Sequence, residues 1–426
     1  MVCYEVYIEI NGAQTKVGTI EGNNYSDACF SYSETYMKSE VYPISISLPF
    51  QREPFTADET RNFFEGLLPE GFTRRAVAQW LNYDANDYIS ILHSLGRECI
   101  GAIRVSEPDE AAEEHYLKIS EKQIKDLAAE GASKSTELVT KSHLSLTGAS
   151  GKAGLYLDEK KNRWYLPLGL APSTHIIKQS HIRYTNIVTN EQLSMMAAQK
   201  CGIDVPQSFI INHGSGKDSE VLYAVKRFDR VINEDSPLVD GLPKPFRLHQ
   251  EDMCQALGKA SSDKYESLND NYATDIFNVI KRYSANPIED QQKLWDRIVF
   301  NCLLGNTDFH IKNISMLYSP NLKTVRLAPA YDLISTVIYE DSTHEMAFSI
   351  GSKRDVFALK RDSFKKLADS IGISDRMANE RFDSVLDRFE EAISGSSKEL
   401  AEMGFKDAKK IAKKIIKESP YKFLNH

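Results

Sequence analysis

The stretch that most constrains this chain is NCLLGNTDFHIKNISMLYSP, residues 301–320. Leading into it, Leu294, Ile298, Val299, Cys302 and Leu303 recur at helical spacing, so an apolar-faced helix arrives here and Gly305 ends it. The next few positions carry Asp308, His310, Lys312 and Asn313. ISMLY, a turn at Ser319-Pro320-Asn321 and TVRLA then read as a β-hairpin, and PAYDLIST follows with Asp332. A core helix thus delivers a loop dense in groups that are costly to bury unpaired, with a second acidic loop one hairpin further on.

Phosphoryl transfer asks for two hard oxygen ligands for Mg²⁺ and one carboxylate facing the nucleophile. Helix, Asp-x4-Asn loop, hairpin, Asp loop is the order in which protein-kinase-like enzymes supply them. Either loop alone is as well explained by ordinary turn formers. The joint pattern, with the right elements between, is far more specific.

The other half of such a site lies upstream. Lys178 sits in the β-branched run THIIKQ, like a strand lysine that pairs with nucleotide phosphates. Glu191 opens the next helix and would hold that lysine, or is an ordinary acid in a first helical turn. AVKRFDR ends a strand where a hinge would meet adenine through its backbone. Asp229 within it suits a ribose hydroxyl and, equally, a salt bridge with Arg227 or Arg230. SLTGASGK is not a Walker A loop, because Leu146 and Ala153 stand where Gly and Ser or Thr are required. It reads as a glycine turn between strands, able to offer N–H groups to phosphate.

A length of 426 residues implies two or three domains. A net charge of -8 argues against nucleic-acid binding through a global basic field. The six cysteines are far apart, without CxxC, which fits a reducing, cytoplasmic setting. The start lacks the look of a signal peptide, and no apolar run approaches eighteen residues, so no membrane association is expected. Residues 1–105 read as a small α/β domain. It opens with a hairpin at Asn11-Gly12, takes YPISISLP as a further strand, and has a helix capped by Thr56 and Glu59. Residues 106–140 read as a linker or surface excursion, 141–235 as a β-rich lobe, and 236–426 as a helical lobe. The C-terminal FKDAKKIAKKIIKE reads as a docked amphipathic helix with a solvated lysine face.

These motifs together resemble the HipA toxin kinases of bacterial toxin–antitoxin pairs. RNFFEGLLPEG and LGRECIGAI resemble the family's N-terminal domain. SLTGASGK, PSTHIIK, AVKRFDR, HQEDMCQALG, SSDKYE, GNTDFHIKN and AYDLIST follow in the family's order. The resemblance implies an α+β, protein-kinase-like two-lobed fold and an ATP- and Mg²⁺-dependent serine/threonine-protein kinase. It implies Asp308 as catalytic base, and Asn313 and Asp332 as Mg²⁺ ligands. Lys178 would hold the phosphates and Thr147, Gly148, Ala149, Ser150, Gly151 and Lys152 would cover them. Lys226, Arg227, Phe228 and Asp229 would form the hinge, with His310 and Tyr331 also at the nucleotide. Ser145 falls where the family carries an autophosphorylated serine, whose added charge would repel a bound triphosphate. Ser150 departs from the family's usual Gln, and Phe309 is bulky for its place. The resemblance further implies a helix-turn-helix, HipB-like antitoxin, operator DNA reached only through it, and a protein substrate such as an aminoacyl-tRNA synthetase, notably the glutamyl enzyme. Two alternatives stand beside this reading: a kinase-like binding or co-repressor protein, and a small-molecule kinase.

Overall fold

The computed structural model describes residues 2–95, 98–108, 113–130, 152–180 and 184–424. The chain forms two compact units. One comprises Met1–Gln179, Ala224–Ser261 and Met316–Val325. The other comprises Ser180–Tyr223, Ser262–Ser315 and Arg326–His426.

In the first unit, β1 (Val2–Ile10) and β2 (Ala13–Gly22) form the expected hairpin. Asn11 and Gly12 turn it with φ of 49° and 82°, the left-handed pair that a two-residue hairpin turn requires. With β3 (Cys29–Tyr32) and β4 (Ile103–Ser106) they give a sheet of order β3-β2-β1-β4. The helix Ala57–Phe64 begins with the expected capping box of Thr56 and Glu59 and buries Thr60, Phe63 and Phe64. YPISISLP is not a strand; only an isolated bridge, Ser45 to Leu48, forms there. Ile44 and Leu48 are fully buried, but so is Ser45, and Ile46 is only half-buried, so burial does not follow the alternation of the sequence. Side chains take the backbone groups a ladder would need. The Ile44 N–H donates to the Tyr32 hydroxyl, that hydroxyl donates to the Leu48 carbonyl, and the Ile46 N–H donates to Glu251.

The segment read as a linker or surface excursion contains β5 (Glu114–Lys118) and the helix Glu121–Glu130. β5 pairs with β7 (Arg163–Gly169), which pairs with β6 (Lys152–Asp158), which pairs with β8 (His175–Gln179), all antiparallel. The N-terminal region and this β-rich sheet fall in one unit, where separate domains were expected, because a buried ionic cluster joins them. Glu98 accepts from Arg227, Arg230 and Arg247 and from the N–H and hydroxyl of Ser173. Asp229 accepts from Arg227, Gln250 and the Gly101 N–H, and Arg247 also pairs with Glu9. Burial opposes charge on Glu98 and Asp229, but the guanidiniums outweigh it and hold both carboxyls below their ordinary range.

In the second unit, the helix Ile187–Lys200 packs against the 28-residue helix Asp375–Glu402. The helix Pro287–Leu304 starts with Pro287 and two acids in its first turn and buries Leu294, Trp295, Ile298 and Val299. The lysine-rich helix Ala408–Glu418 buries Ala408, Ile411, Ala412 and Ile415, the docked face expected of it. Among the described residues no helix is long and apolar enough to cross a membrane.

Glu251 generates a pH prediction. It is 1% exposed and accepts from Ser45, Ile46 and Tyr318, yet burial pushes its carboxyl up from 4.5 to about 7. The folded state therefore holds a proton that the unfolded chain has already released between these values. Stability from this group is full below about pH 4.5 and is lost as pH rises to about 7, by on the order of 3 kcal/mol. Thermal unfolding of wild type and Glu251→Gln from pH 5 to 8 should show the wild type losing ground to the variant as pH rises. Parallel curves would contradict the assignment.

Candidate active site

The helix Pro287–Leu304 aims the loop that follows it. Gly305 caps it at φ 70°, and its N–H reaches the Asn301 and Cys302 carbonyls. A Cβ there would meet Val337 Cγ2 at 2.3 Å, so both conformation and space call for glycine. Asn306 is fully buried; its amide donates to Asn301 Oδ1 at 2.7 Å and to the Asp332 carbonyl at 3.3 Å. The Thr307 N–H donates to Thr336 Oγ1 at 2.8 Å, and Thr336 Oγ1 donates to the Gly305 carbonyl at 2.9 Å. The two acidic loops are therefore laced together through Asn306, Thr307 and Thr336.

Asp308 is the exposed residue at the tip, between buried Thr307 and buried Phe309. Phe309 packs on Phe348 with ring centroids 5.6 Å apart, which gives the bulky residue a place in the core. Asn313, in the short 3-10 turn Ile311–Asn313, donates its amide N–H to the Asp308 carbonyl at 3.0 Å. The His310 N–H donates to the same carbonyl at 2.8 Å. Tyr331 donates its hydroxyl to the Lys312 carbonyl at 2.8 Å and meets the Ser315 hydroxyl at 2.6 Å, a further tie between the loops. Tyr331 thus braces the loop pair. Asp332 is half-buried at φ 54°, a left-handed conformation that Asp adopts more readily than most residues. Behind it, Asn190 exchanges hydrogen bonds with the Ser335 backbone, one residue before Glu191 on the helix Ile187–Lys200.

In the other unit, Lys178 lies on β8 directly opposite Lys152 on β6. The pair shares one face of the sheet, and Lys178 is buried. The strand Val221–Lys226 ends in alternation: Lys226 and Phe228 are half-buried, while Arg227 and Asp229 point into the ionic cluster. Lys226 pairs with Glu159 at 2.9 Å. This decides the two readings of Asp229. Its carboxylate belongs to the salt bridges with Arg227 and Arg230, both at least as buried as itself at side-chain level, and not to a ribose. The Arg227 side chain is likewise committed to the cluster. Ser145 and Thr147, Gly148, Ala149, Ser150 and Gly151 lie outside the described residues.

Residues 8–106 match the HipA N-terminal domain, and residues 144–393 match the HipA-like C-terminal domain. The chain belongs to the HipA family. Among its relatives, the kinase-named Y4mE of Sinorhizobium fredii is 33% identical over 393 residues, 89% of each chain. The serine/threonine-protein kinase toxin HipA of Shewanella oneidensis is 27% identical over 385 residues, 85% of this chain and 82% of that one. A chain from the Shewanella oneidensis MR-1 complex of HipA, HipB and operator DNA superposes with TM-score 0.77 over 97% of both chains, at 20% identity. The HipA-family fold, α+β and kinase-like with two lobes, is the one expected.

Several residues that shape the HipA-type loops were given no role by the sequence reading. Tyr265 donates its hydroxyl to Asp308 Oδ1 at 2.6 Å, and it sits in the SSDKYE motif noted only for its place in the order. Asn306 and Asn190 are polar residues beside motif positions, and only their burial reveals their function. Gly305→Ala should lower stability by about 1 kcal/mol or more, since strain and a clash with Val337 add. Thermal or denaturant unfolding of the variant checks it, and an unchanged midpoint would show that the cap relaxes freely.

Proposed function

We propose that this chain is an ATP- and Mg²⁺-dependent serine/threonine-protein kinase, acting in the cytoplasm as the toxin of a toxin–antitoxin pair. The carrying observation is the Asp308 carboxylate, exposed at the tip of a loop whose neighbours are fixed by part-buried hydrogen bonds within it and to the Asp332 loop. Rigid presentation of one carboxylate is what a proton acceptor in phosphoryl transfer needs. Membership of a family whose Shewanella oneidensis relative is named a kinase toxin supports the reading.

The residues present suit a magnesium ion. Asn313 spends an amide N–H on the Asp308 carbonyl, which leaves its oxygen as the atom able to ligate a cation, and Asp332 adds a carboxylate; both are hard oxygen ligands. When bound, the ion would neutralise phosphate charge. Asp308 accepts the proton of the attacking hydroxyl. Lys178 holds the phosphates, with Lys152 opposite it in the register of the same sheet covering them. Thr147 to Gly151 cover the phosphates, the backbone of Lys226 to Phe228 meets adenine, and His310 with Tyr331 keeps the loop in shape beside the nucleotide. Ser145 takes a phosphate from the enzyme itself as an off-switch. The protein substrate is a translation component of the aminoacyl-tRNA synthetase kind, with the glutamyl enzyme first to test. A HipB-like helix-turn-helix antitoxin is the partner, and operator DNA is reached through it; the solved Shewanella oneidensis complex of HipA, HipB and operator DNA supports this grouping.

Incubation with γ-labelled ATP, Mg²⁺ and cell extract tests this. Wild type should label itself and an extract protein; Asp308→Asn and Asp332→Ala should fall at least about 100-fold. Ser145→Ala should lose self-labelling alone. An unlabelled wild-type reaction would favour the binding or co-repressor reading, and an active Asp308→Asn would refute the base.

A further inference from the structure

Tyr265 is held against Asp308 by structure on both sides of it in sequence. The Asp263 carbonyl accepts from the Tyr272 hydroxyl at 2.5 Å. Glu266, 5% exposed, accepts from the Tyr272 N–H at 2.9 Å and the Ser349 N–H at 2.7 Å. Its own N–H donates to the Ala347 carbonyl at 2.8 Å, and Arg354 donates to its carbonyl at 2.9 Å. The Tyr265 ring stands edge-on to His310 at 5.5 Å, with the Lys264 ammonium 5.5 Å from its centroid. The hydroxyl meets Asp308 Oδ1 at 2.6 Å. The contact is therefore presented by a fixed segment, although the tyrosine is 44% exposed.

A phenol at neutral pH donates to a carboxylate and does not take its proton. With Oδ1 engaged, Asp308 keeps Oδ2 without a protein partner among the described residues. A short charge-assisted bond also removes rotational freedom from a carboxylate that otherwise projects into solvent. We propose that Tyr265 is a positioning residue: its hydroxyl holds Oδ1 of Asp308 so that Oδ2 receives the proton of the substrate hydroxyl. This rests on the reading of Asp308 as the base. It adds to that reading a residue outside the Asp-x4-Asn loop and a distinct task for each carboxylate oxygen.

The test measures initial rates of label transfer from γ-labelled ATP across ATP concentrations, with thermal midpoints, for wild type, Tyr265→Phe, Tyr265→Leu and Asp308→Asn. Phenylalanine keeps the ring and its packing and removes only the donor. Tyr265→Phe should lower kcat about tenfold, the scale of one hydrogen bond to a charged group, with KM for ATP and the midpoint unchanged. Tyr265→Leu should be equally slow. If Tyr265→Phe matches wild type while Tyr265→Leu is slow, the ring's packing is what matters and the proposal is wrong. If Tyr265→Phe is faster, the hydroxyl obstructs the base, and the proposal is again wrong. In both cases an inactive Asp308→Asn leaves the reading of Asp308 as the base standing; an active one removes that reading and the proposal with it, while the label it transfers keeps the kinase reading.

Discussion

The ionic cluster around Glu98 and Asp229 is the interaction on which the first unit depends. Arg227, Arg230 and Arg247 meet Glu98, Asp229 and Glu9 with side chains at most 7% exposed. Three cations balance three anions, and the remaining donors go to carbonyls of Cys99, Gly101 and Leu170. Such a cluster is stable only when complete. Removing one partner strands a buried charge, at a cost of about 3–5 kcal/mol. Its members come from β1, from the turn before β4, from the approach to β8 and from the segment after Val221–Lys226. It therefore fixes the backbone of Lys226 to Phe228 as a consequence of joining two parts of the chain.

The loops of the other unit are built on the opposite principle. Asn190, Asn306, Thr307, Thr336, Ser335 and Tyr331 make neutral hydrogen bonds to one another and to backbone. Neutral bracing leaves the carboxylates of Asp308 and Asp332 as the acidic groups of the loop pair. A charged brace at Asn306 would compete with them for any cation, and would itself be costly to bury. The proposed chemistry thus shares one economy with the fold: charge is neutralised where it is structural and kept at the tip where it is used.

Much of this was legible because local signals agreed. Asn11-Gly12, the Thr56–Glu59 box, Gly305 and the hairpin after Asn313 each have one dominant local explanation, and each formed. YPISISLP misled because its backbone groups were claimed by Tyr32 and Glu251 from distant positions, and Ser45 was buried with Ile44 and Leu48. Within the stretch read as a linker or surface excursion, β5 was not legible, because alternation with one inward residue, Tyr116, sufficed for a sheet edge. Arg227 and Asp229 could not be sorted from sequence, because Glu98, the carboxylate that shares Arg227 with Asp229, lies 129 residues from Arg227. Tyr265 was hidden for the same reason: nothing local shows that a tyrosine will meet an aspartate 43 residues on.

Calorimetric titration of ATP with and without Mg²⁺, on wild type, Asp332→Ala and Asp308→Asn, tests the central claim most directly, because it separates holding the nucleotide from using it. Wild type should bind ATP far more tightly with Mg²⁺. Asp332→Ala should lose most of that gain, and Asp308→Asn should keep it. Binding indifferent to Mg²⁺ in the wild type, or a gain that survives Asp332→Ala intact, would contradict the account.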